Sequence, residues 1–455
     1  MNYQTINPAT EEVLQTYEVM NQSALDQALL QADKTFNSWK KTDFAHRSRL
    51  MLALADLLIR KRDELGLIIT REMGKPVTQS RAEIEKCAWV CRHYAEHAEQ
   101  YLEPRSIATN MAKTLVTYRP LGVIFAIMPW NYPFWQVFRF AAPTIMAGNA
   151  ALLKHAPISL GAGDAIMQLF IDAGFPPHIF QHLIINNDQA ATVIAHDTVK
   201  ALSFTGSEQT GRLVGSLAAA NLKKAVLELG GNDPYIILHD ADIEQAANAI
   251  VTSRLNNCGQ VCIAAKRIIV DENIHDQLVK RITALMANYI PSDPASDSSA
   301  IGPMARKDLR DKLHQQVVES VSQGAELVCG GEIPSGEGYY YPPTLLLNVK
   351  PGIPAFDQEL FGPVIVIIRA GNEQQAIELA NLSRYGLGAA VFTSDIAHGE
   401  YIAANLVEAG TCFVNSFVAS DPRVPFGGIK CSGHGRELSR EGILEFVNTK
   451  TVAIK

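Results

Sequence analysis

From Pro120 onward the chain alternates short apolar runs with segments of helix length, and few architectures accept that rhythm. The runs fall at residues 123–128, 150–153, 183–185, 201–204 and 225–227. Strand, helix and strand in this order predict βαβ units, and therefore a doubly wound parallel sheet. Such sheets bind ligands beyond the carboxyl ends of their strands. A further series at residues 267–270, 364–368, 389–392 and 411–414 predicts a second α/β domain. The last stretch, residues 446–454, has strand character without a neighbour in sequence to pair with, which points to pairing with a distant element or another subunit.

The first hundred residues read as helical. Ser23, with Asp26 three positions on, resembles a capping box, and Leu25, Ala28, Leu29, Ala32 and Phe36 then recur at helical spacing. A second helix carries Leu50, Leu54, Leu57 and Leu58 toward Met73, where Gly74 and Pro76 stop it. A third is expected over residues 83–101.

A chain of 455 residues is long enough for two or three domains. Hydrophobic residues at 47% and charged residues at 19% place it among soluble enzymes with a large core. The net charge is −7 with the two signs interspersed and no basic stripe, so nucleic acid is not expected as a partner. The N-terminus lacks a basic region followed by an apolar one, and no apolar run is long enough to span a bilayer, so neither a signal peptide nor a membrane partner is expected. Seven cysteines without framework spacing favour free thiols and a cytoplasmic location.

Three phrases carry chemistry. Cys262 stands in Asn257-Cys258-Gly259-Gln260-Val261-Cys262, Glu228 in Leu227-Glu228-Leu229-Gly230-Gly231, and Asn131 in Pro129-Trp130-Asn131-Tyr132-Pro133. A thiol, a carboxylate and a side-chain amide supply a nucleophile, a base and an oxyanion donor for covalent attack on a carbonyl. The plain alternative for Cys262 is a buried structural cysteine, but Gly259 and Gln260 mark a turn rather than a core segment. Glu228 read plainly is an exposed turn carboxylate; between two leucines it is instead expected to be partly desolvated, with its pKa raised toward neutrality. No metal is expected: neither Cys258/Cys262 nor Cys87/Cys91 has a second ligand pair, and His93-Tyr94-Ala95-Glu96-His97 places its two histidines largely on the solvated side of a helix. Cys258 is also placed to act as a resolving thiol for an oxidised Cys262. The turn Phe204-Thr205-Gly206-Ser207 opens a helix, and its N–H groups suit phosphate oxygens, although GxGxxG and the P-loop pattern are both missing.

Taken in order with Glu359-Leu360-Phe361-Gly362-Pro363 and Pro425-Phe426-Gly427-Gly428, these phrases resemble the aldehyde dehydrogenase superfamily over nearly the whole chain. The resemblance implies an α/β fold of two doubly wound α/β domains plus a small β oligomerisation arm. Residues 1–101 and 121–230 would form a Rossmann-like dinucleotide-binding domain, 231–430 the catalytic domain, and 102–120 with 431–455 the arm of a homodimer or homotetramer. By the same resemblance Cys262 is the nucleophile, Glu228 the general base, and Asn131 an oxyanion donor. Trp130, Asn131, Lys154, His155, Ala156, Pro157, Gly206, Ser207, Leu229 and Glu359 would contact the cofactor.

Cofactor and substrate rest on charge. Family members that favour NAD often carry an acidic residue three positions after the lysine equivalent to Lys154; Pro157 stands there, so NADP is the preferred expectation and NAD the other. Trp135 and Arg139 follow Asn131 at intervals of four, and share one helical face if the helix begins that early. Arg139 suits a planar carboxylate, with Ser420 adding a hydroxyl; the plain alternative is an arginine in a structural ion pair. The segment also resembles succinate-semialdehyde dehydrogenases, which implies oxidation of a small aldehyde carrying a carboxylate, succinate semialdehyde. The rival readings are a dehydrogenase for uncharged aliphatic or aromatic aldehydes, a coenzyme A-acylating transferase, and a silent nucleotide-binding homologue.

Overall fold

The computed structural model describes residues 2–455. It shows the expected α/β architecture, built on two large sheets. The first runs Gly433–His434, Lys224–Glu228, Val199–Thr205, Val123–Met128, Ala150–His155 and Phe180–His182. Its last five strands are parallel, and only Gly433–His434 joins antiparallel, opposite Glu228 and Leu227. The second runs Glu326–Cys329, Thr344–Leu347, Val364–Ala370, Arg267–Asp271, Pro234–Ile237, Gly388–Phe392 and Thr411–Val414, parallel except at its first pair. Every residue of Val123–Met128, apart from the intermediate Ile127, and of Ala150–His155 is buried, because helices cover both faces of the sheet.

Several expectations are corrected. The N-terminus is not helical from its start: Asn2–Ile6 and Val13–Glu18 form an antiparallel hairpin before the first helix, Gln22–Trp39. That helix is capped by Asn21, whose side chain accepts from Ala24 N–H, and not by Ser23. The second helix breaks at Lys61 into Phe44–Arg60 and Arg62–Met73. The strand expected at 183–185 lies at Phe180–His182. Its polar residues are tolerated inside because Gln181 donates to the Ala28 carbonyl and the His182 ring meets Asp164. His93 is buried rather than solvated, its ring stacked on His97 and bonded to the Tyr101 hydroxyl; no cluster of three metal-ligating side chains occurs among the described residues.

Residues 431–455 do not act as one piece. Gly433–His434 extends the first sheet, Ser439–Leu444 packs on the helices Val77–Tyr101 and Trp135–Met146, and only Val447–Ile454 joins a separate three-stranded sheet. There it pairs with Lys113–Pro120 of its own chain, from Val447 opposite Pro120 to Ile454 opposite Lys113. Its outer edge is free within the chain, with Val452 and Ile454 exposed.

One buried ion pair ties the helical layer to the site. Glu83 and Lys75 are each 1% exposed at the side chain and pair with one another. The other Glu83 oxygen accepts the N–H groups of Phe134 and Trp135, each at 2.9 Å, and so caps the helix Trp135–Met146. Lys75 in turn lies over the Tyr132 ring, 3.6 Å from its centre. Glu83→Ala leaves a buried ammonium and two helix-start N–H groups without partners. We expect it to lower unfolding free energy by about 3–5 kcal/mol, read from the denaturation midpoint at unchanged slope.

Candidate active site

Three backbone segments meet at Cys262. The first is the turn Asn256–Gly259, where Asn257, Cys258 and Gly259 take φ of 51°, 52° and 70° in succession. Only a residue without Cβ fits at the third, because a methyl group there would run into the Gly362 carbonyl. Strain at Asn257 is held by hydrogen bonds: its N–H donates to Gln79, and its side-chain amide donates to the Asn131 carbonyl at 2.8 Å. The second segment carries Asn131, whose amide donates to the Gln260 carbonyl at 3.0 Å while its oxygen accepts from Gln136 at 3.0 Å. One Asn131 N–H remains for an oxyanion. Asn131 precedes the helix, which starts at Trp135, so it does not share a helical face with Trp135 and Arg139 as expected.

The third segment is Glu228 to Gly231, at the carboxyl end of the strand Lys224–Glu228. Gly231 lets this loop touch the Cys262 carbonyl; a Cβ there would sit 2.7 Å from it. Lys266 reaches back to the same carbonyl and pairs with Glu359 at 3.1 Å, and Glu359 accepts from Gly231 N–H at 3.1 Å. Glu359 is thereby fixed beside the nucleophile loop. Arg254, fully buried, pins the segment ahead of it by donating to the carbonyls of Leu360 and Val364.

The thiol of Cys262 is pushed up to about 11, first by burial; Lys266 and Arg139 pull it down, Asp233 and Glu359 push it up. Without a further positive charge beside it, little thiolate exists at neutral pH. Cys258 is fully buried and its thiol is pushed up to about 12 by burial, and it packs in a different core cluster from the one Cys262 borders. All seven cysteines are free.

Glu228 is 2% exposed and neither carboxyl oxygen has a hydrogen-bond partner. Burial raises its pKa well above the carboxylate range, Glu437 raises it further, and Arg139 and Arg436 oppose. Its side chain is turned toward Gly427, where a Cβ would come 2.8 Å from Oε1.

Two cavities open on Cys262. The first, of about 350 Å³, is lined by Lys75, Lys86, Tyr132, Trp135, Arg139, Val261, Ser420 and Phe426 together with the thiol residue. The second, of about 440 Å³, is lined by Trp130, Asn131, Gly206, Ser207, Leu229, Glu359 and Phe361, again with Cys262. Glu228 lines neither.

The second cavity fits a dinucleotide. Ser207 caps the helix Glu208–Ala220 by accepting from Thr210 N–H, so the helix opens toward the cavity. Trp130 and Phe361 meet edge to face at 5.9 Å on its wall. Gly230 leaves room for the Glu359 carboxylate, which a Cβ would displace. Lys154 is the last residue but one of the strand Ala150–His155, buried, and its ammonium has no hydrogen-bond or ion-pair partner among the described residues. Lys154, His155, Ala156 and Pro157 lie off this cavity's wall. The His155 ring is committed inside the protein, to the Pro133 carbonyl at 2.9 Å and to Ala156 N–H at 2.8 Å, and burial lowers it to about 3, so it is neutral. Pro157 is exposed and adds no negative charge beside Lys154.

Of the residues expected at the substrate, Trp135 and Ser420 line the first cavity. Arg139 does too, but its guanidinium is paired with buried Glu437 and lies over the Phe426 ring. The ion-pair alternative for this arginine is the one the structure displays. Lys86, Gln136, Lys266 and Glu437 were not singled out from sequence. The partners of Lys86 and Glu437, Ser420 and Arg139, lie far along the chain, and no local spacing marks them.

Residues 1–452 match the aldehyde dehydrogenase family model. A probable succinate-semialdehyde dehydrogenase [NADP(+)] of Synechocystis is 46% identical over 450 residues, 99% of each chain. Succinate semialdehyde dehydrogenase [NAD(P)+] Sad of Escherichia coli is 46% identical over 448 residues, 98% of this chain and 97% of that one. The solved structure of succinic semialdehyde dehydrogenase from Streptococcus pyogenes with NADP+ superposes with a TM-score of 0.97 at 37% identity, covering 99% of each chain.

Proposed function

The chain belongs to the aldehyde dehydrogenase family, and within it we propose that this enzyme oxidises succinate semialdehyde to succinate with NADP, and with NAD as a second acceptor, through a covalent adduct on Cys262. One observation carries this reading: a single thiol forms part of both cavity walls, so an aldehyde entering from one side and a dinucleotide from the other meet at its sulfur.

Trp130, Gly206, Ser207, Leu229 and Glu359 would hold the dinucleotide. When bound, an oxidised nicotinamide would supply a positive charge that favours the neighbouring thiolate, and the acceptor for hydride. The Cys262 thiolate adds to the aldehyde carbon, forming a C–S bond and placing negative charge on oxygen. The free N–H of Asn131 is the donor for that oxygen. Loss of hydride from the adduct leaves a thioester on Cys262. Glu228 then takes a proton from water; hydroxide adds, the C–S bond breaks, and carboxylate and thiol are released. To reach that water the Glu228 side chain turns away from Gly427, out of the dry pocket that keeps it protonated.

Three features support the finer choices. The relatives named above carry NADP in their descriptions, and no acidic side chain stands at Pro157 to repel a 2′-phosphate. A carboxylated aldehyde suits the cationic wall of the first cavity. Glu228 favours water over coenzyme A as acyl acceptor. The exposed edge of Val447–Ile454 supports assembly into a homodimer or homotetramer through the arm, and seven free cysteines support a cytoplasmic location. No helix is long and apolar enough to cross a membrane among the described residues.

Steady-state NADPH and NADH formation across aldehydes with and without a terminal carboxylate tests the reading. Succinate semialdehyde is expected to exceed butanal in kcat/KM by about 10–100-fold, the worth of a charge-assisted contact. NADP is expected to exceed NAD. Equal kcat/KM for the two aldehydes would overturn the substrate assignment.

A further inference from the structure

We propose that Lys266 is a positioning residue for both halves of the reaction: its buried ammonium ties the carbonyl of the nucleophile Cys262 to the cofactor carboxylate Glu359, with Asp233 as the buried charge that opposes it. This rests on the reading of Glu359 as a residue that holds the dinucleotide. Lys266 is 2% exposed at the side chain and lines neither cavity, so it acts only through the groups it holds.

The second sheet builds this arrangement. Pro234–Ile237 and Arg267–Asp271 are parallel neighbours with Pro234 opposite Arg267, so Asp233 and Lys266 stand side by side just ahead of them. Lys266 N–H donates to the Asp233 carbonyl at 3.2 Å. Its side chain folds back onto the Cys262 carbonyl, four residues earlier. The same ammonium pairs with Glu359 Oε1 at 3.1 Å, the oxygen that also accepts Gly231 N–H. Glu359 Oε2 lies against Gly230, which lines the second cavity, and is left for the dinucleotide. A carboxylate in such a cavity accepts sugar hydroxyls, and with one oxygen anchored twice the other accepts from a fixed position.

Two acids share this one ammonium. Asp233 is 1% exposed, and neither of its carboxyl oxygens has a well-formed hydrogen bond. A Cβ at Gly231 would stand 2.8 Å from Asp233 Oδ1 and 2.7 Å from the Cys262 carbonyl oxygen, so this acid is a near neighbour of the nucleophile. Burial pushes it up to about 7; Lys266, Gly388 N–H and Arg267 oppose, and Glu359 adds to the rise. Arg267 is spent on the carbonyls of Asn232, Leu379 and Ala380. At the Cys262 thiol Lys266 favours the thiolate and ionised Asp233 disfavours it. Arg139 and Glu359 also face the thiol, but Glu437 holds the first and Lys266 the second. The Tyr132 phenol beside it is raised by burial and stays neutral.

The test is a cycle of Lys266→Met, Glu359→Gln and the double variant, read as the stopped-flow burst of NADPH with succinate semialdehyde and NADP. Each single change is expected to slow the burst about 10–100-fold, the loss when reacting groups are held loosely. The double variant is expected to fall no further than Glu359→Gln alone, because Lys266 acts through Glu359. Losses that multiply, or an unchanged burst in Lys266→Met beside a slow one in Glu359→Gln, overturn the proposal and leave the cofactor reading intact. An unchanged burst and NADP KM in Glu359→Gln overturn both. Alkylation of the Cys262 peptide by iodoacetamide, without cofactor, separates charge from damage. At about pH 8, Lys266→Met is expected to react about 3–10-fold more slowly than wild type and Asp233→Asn about 3–10-fold faster. A loosened loop would speed both, and a rate in Lys266→Met at or above wild type overturns the proposal. Should Lys266→Met fail to fold, Lys266→Gln takes its place and the same outcomes decide.

Discussion

Cys262→Ala is expected to reduce aldehyde-dependent NADPH formation by about 10⁴-fold or more, because no other group on either cavity wall can form the adduct. Of the amines on the first cavity's wall, Lys75 is locked to Glu83 and Lys86 lies beside Trp135 and Ser420; Lys266 is bound to the Cys262 carbonyl and to Glu359. None shares both cavities. The substitution removes one sulfur from a half-buried position, so the fold and dinucleotide binding should persist. NADPH fluorescence on titration checks that point and separates lost chemistry from lost structure. Cys262→Ser is expected to fall almost as far, since an alcohol ionises even less readily than a thiol already pushed up to about 11.

Glu228→Gln is expected to split the reaction. Asn131 and Cys262 are untouched, so one equivalent of NADPH per active site should appear in a rapid burst. Turnover after the burst should then fall about 10²–10⁴-fold, the usual loss when a general base is removed. The glutamine fits because the carboxyl it replaces is held neutral by burial and makes no hydrogen bond in the observed orientation. Stopped-flow absorbance of NADPH resolves the two phases. Slow formation without a burst would assign Glu228 to thiol activation instead.

The parts legible in the sequence were local. Runs such as Val123–Met128 and residues 364–368 could be read because a parallel strand covered on both faces is apolar at nearly every position. Cys262, Glu228 and Asn131 stood out because each sits in a turn phrase with glycine, asparagine or proline beside it, where backbone shape is constrained. The N-terminal hairpin was missed for the opposite reason. Five of six residues in Val13–Glu18 are exposed, so no alternation marks it.

Long-range pairing was invisible. Lys86 meets Ser420 across 334 positions, and Arg139 meets Glu437 only once Gly433–His434 has joined the first sheet. The charge of Arg139 was readable in the sequence, but its neutralisation was not. The same holds for His155, whose place after Lys154 matched a cofactor motif while its ring turned to Pro133.

Peptide mapping of Glu228→Gln, quenched in acid after mixing with succinate semialdehyde and NADP, probes the covalent step itself. The account predicts the mass of one succinyl group on the peptide containing Cys262, released by hydroxylamine as a thioester must be. A full burst of NADPH with Cys262 unmodified would contradict it.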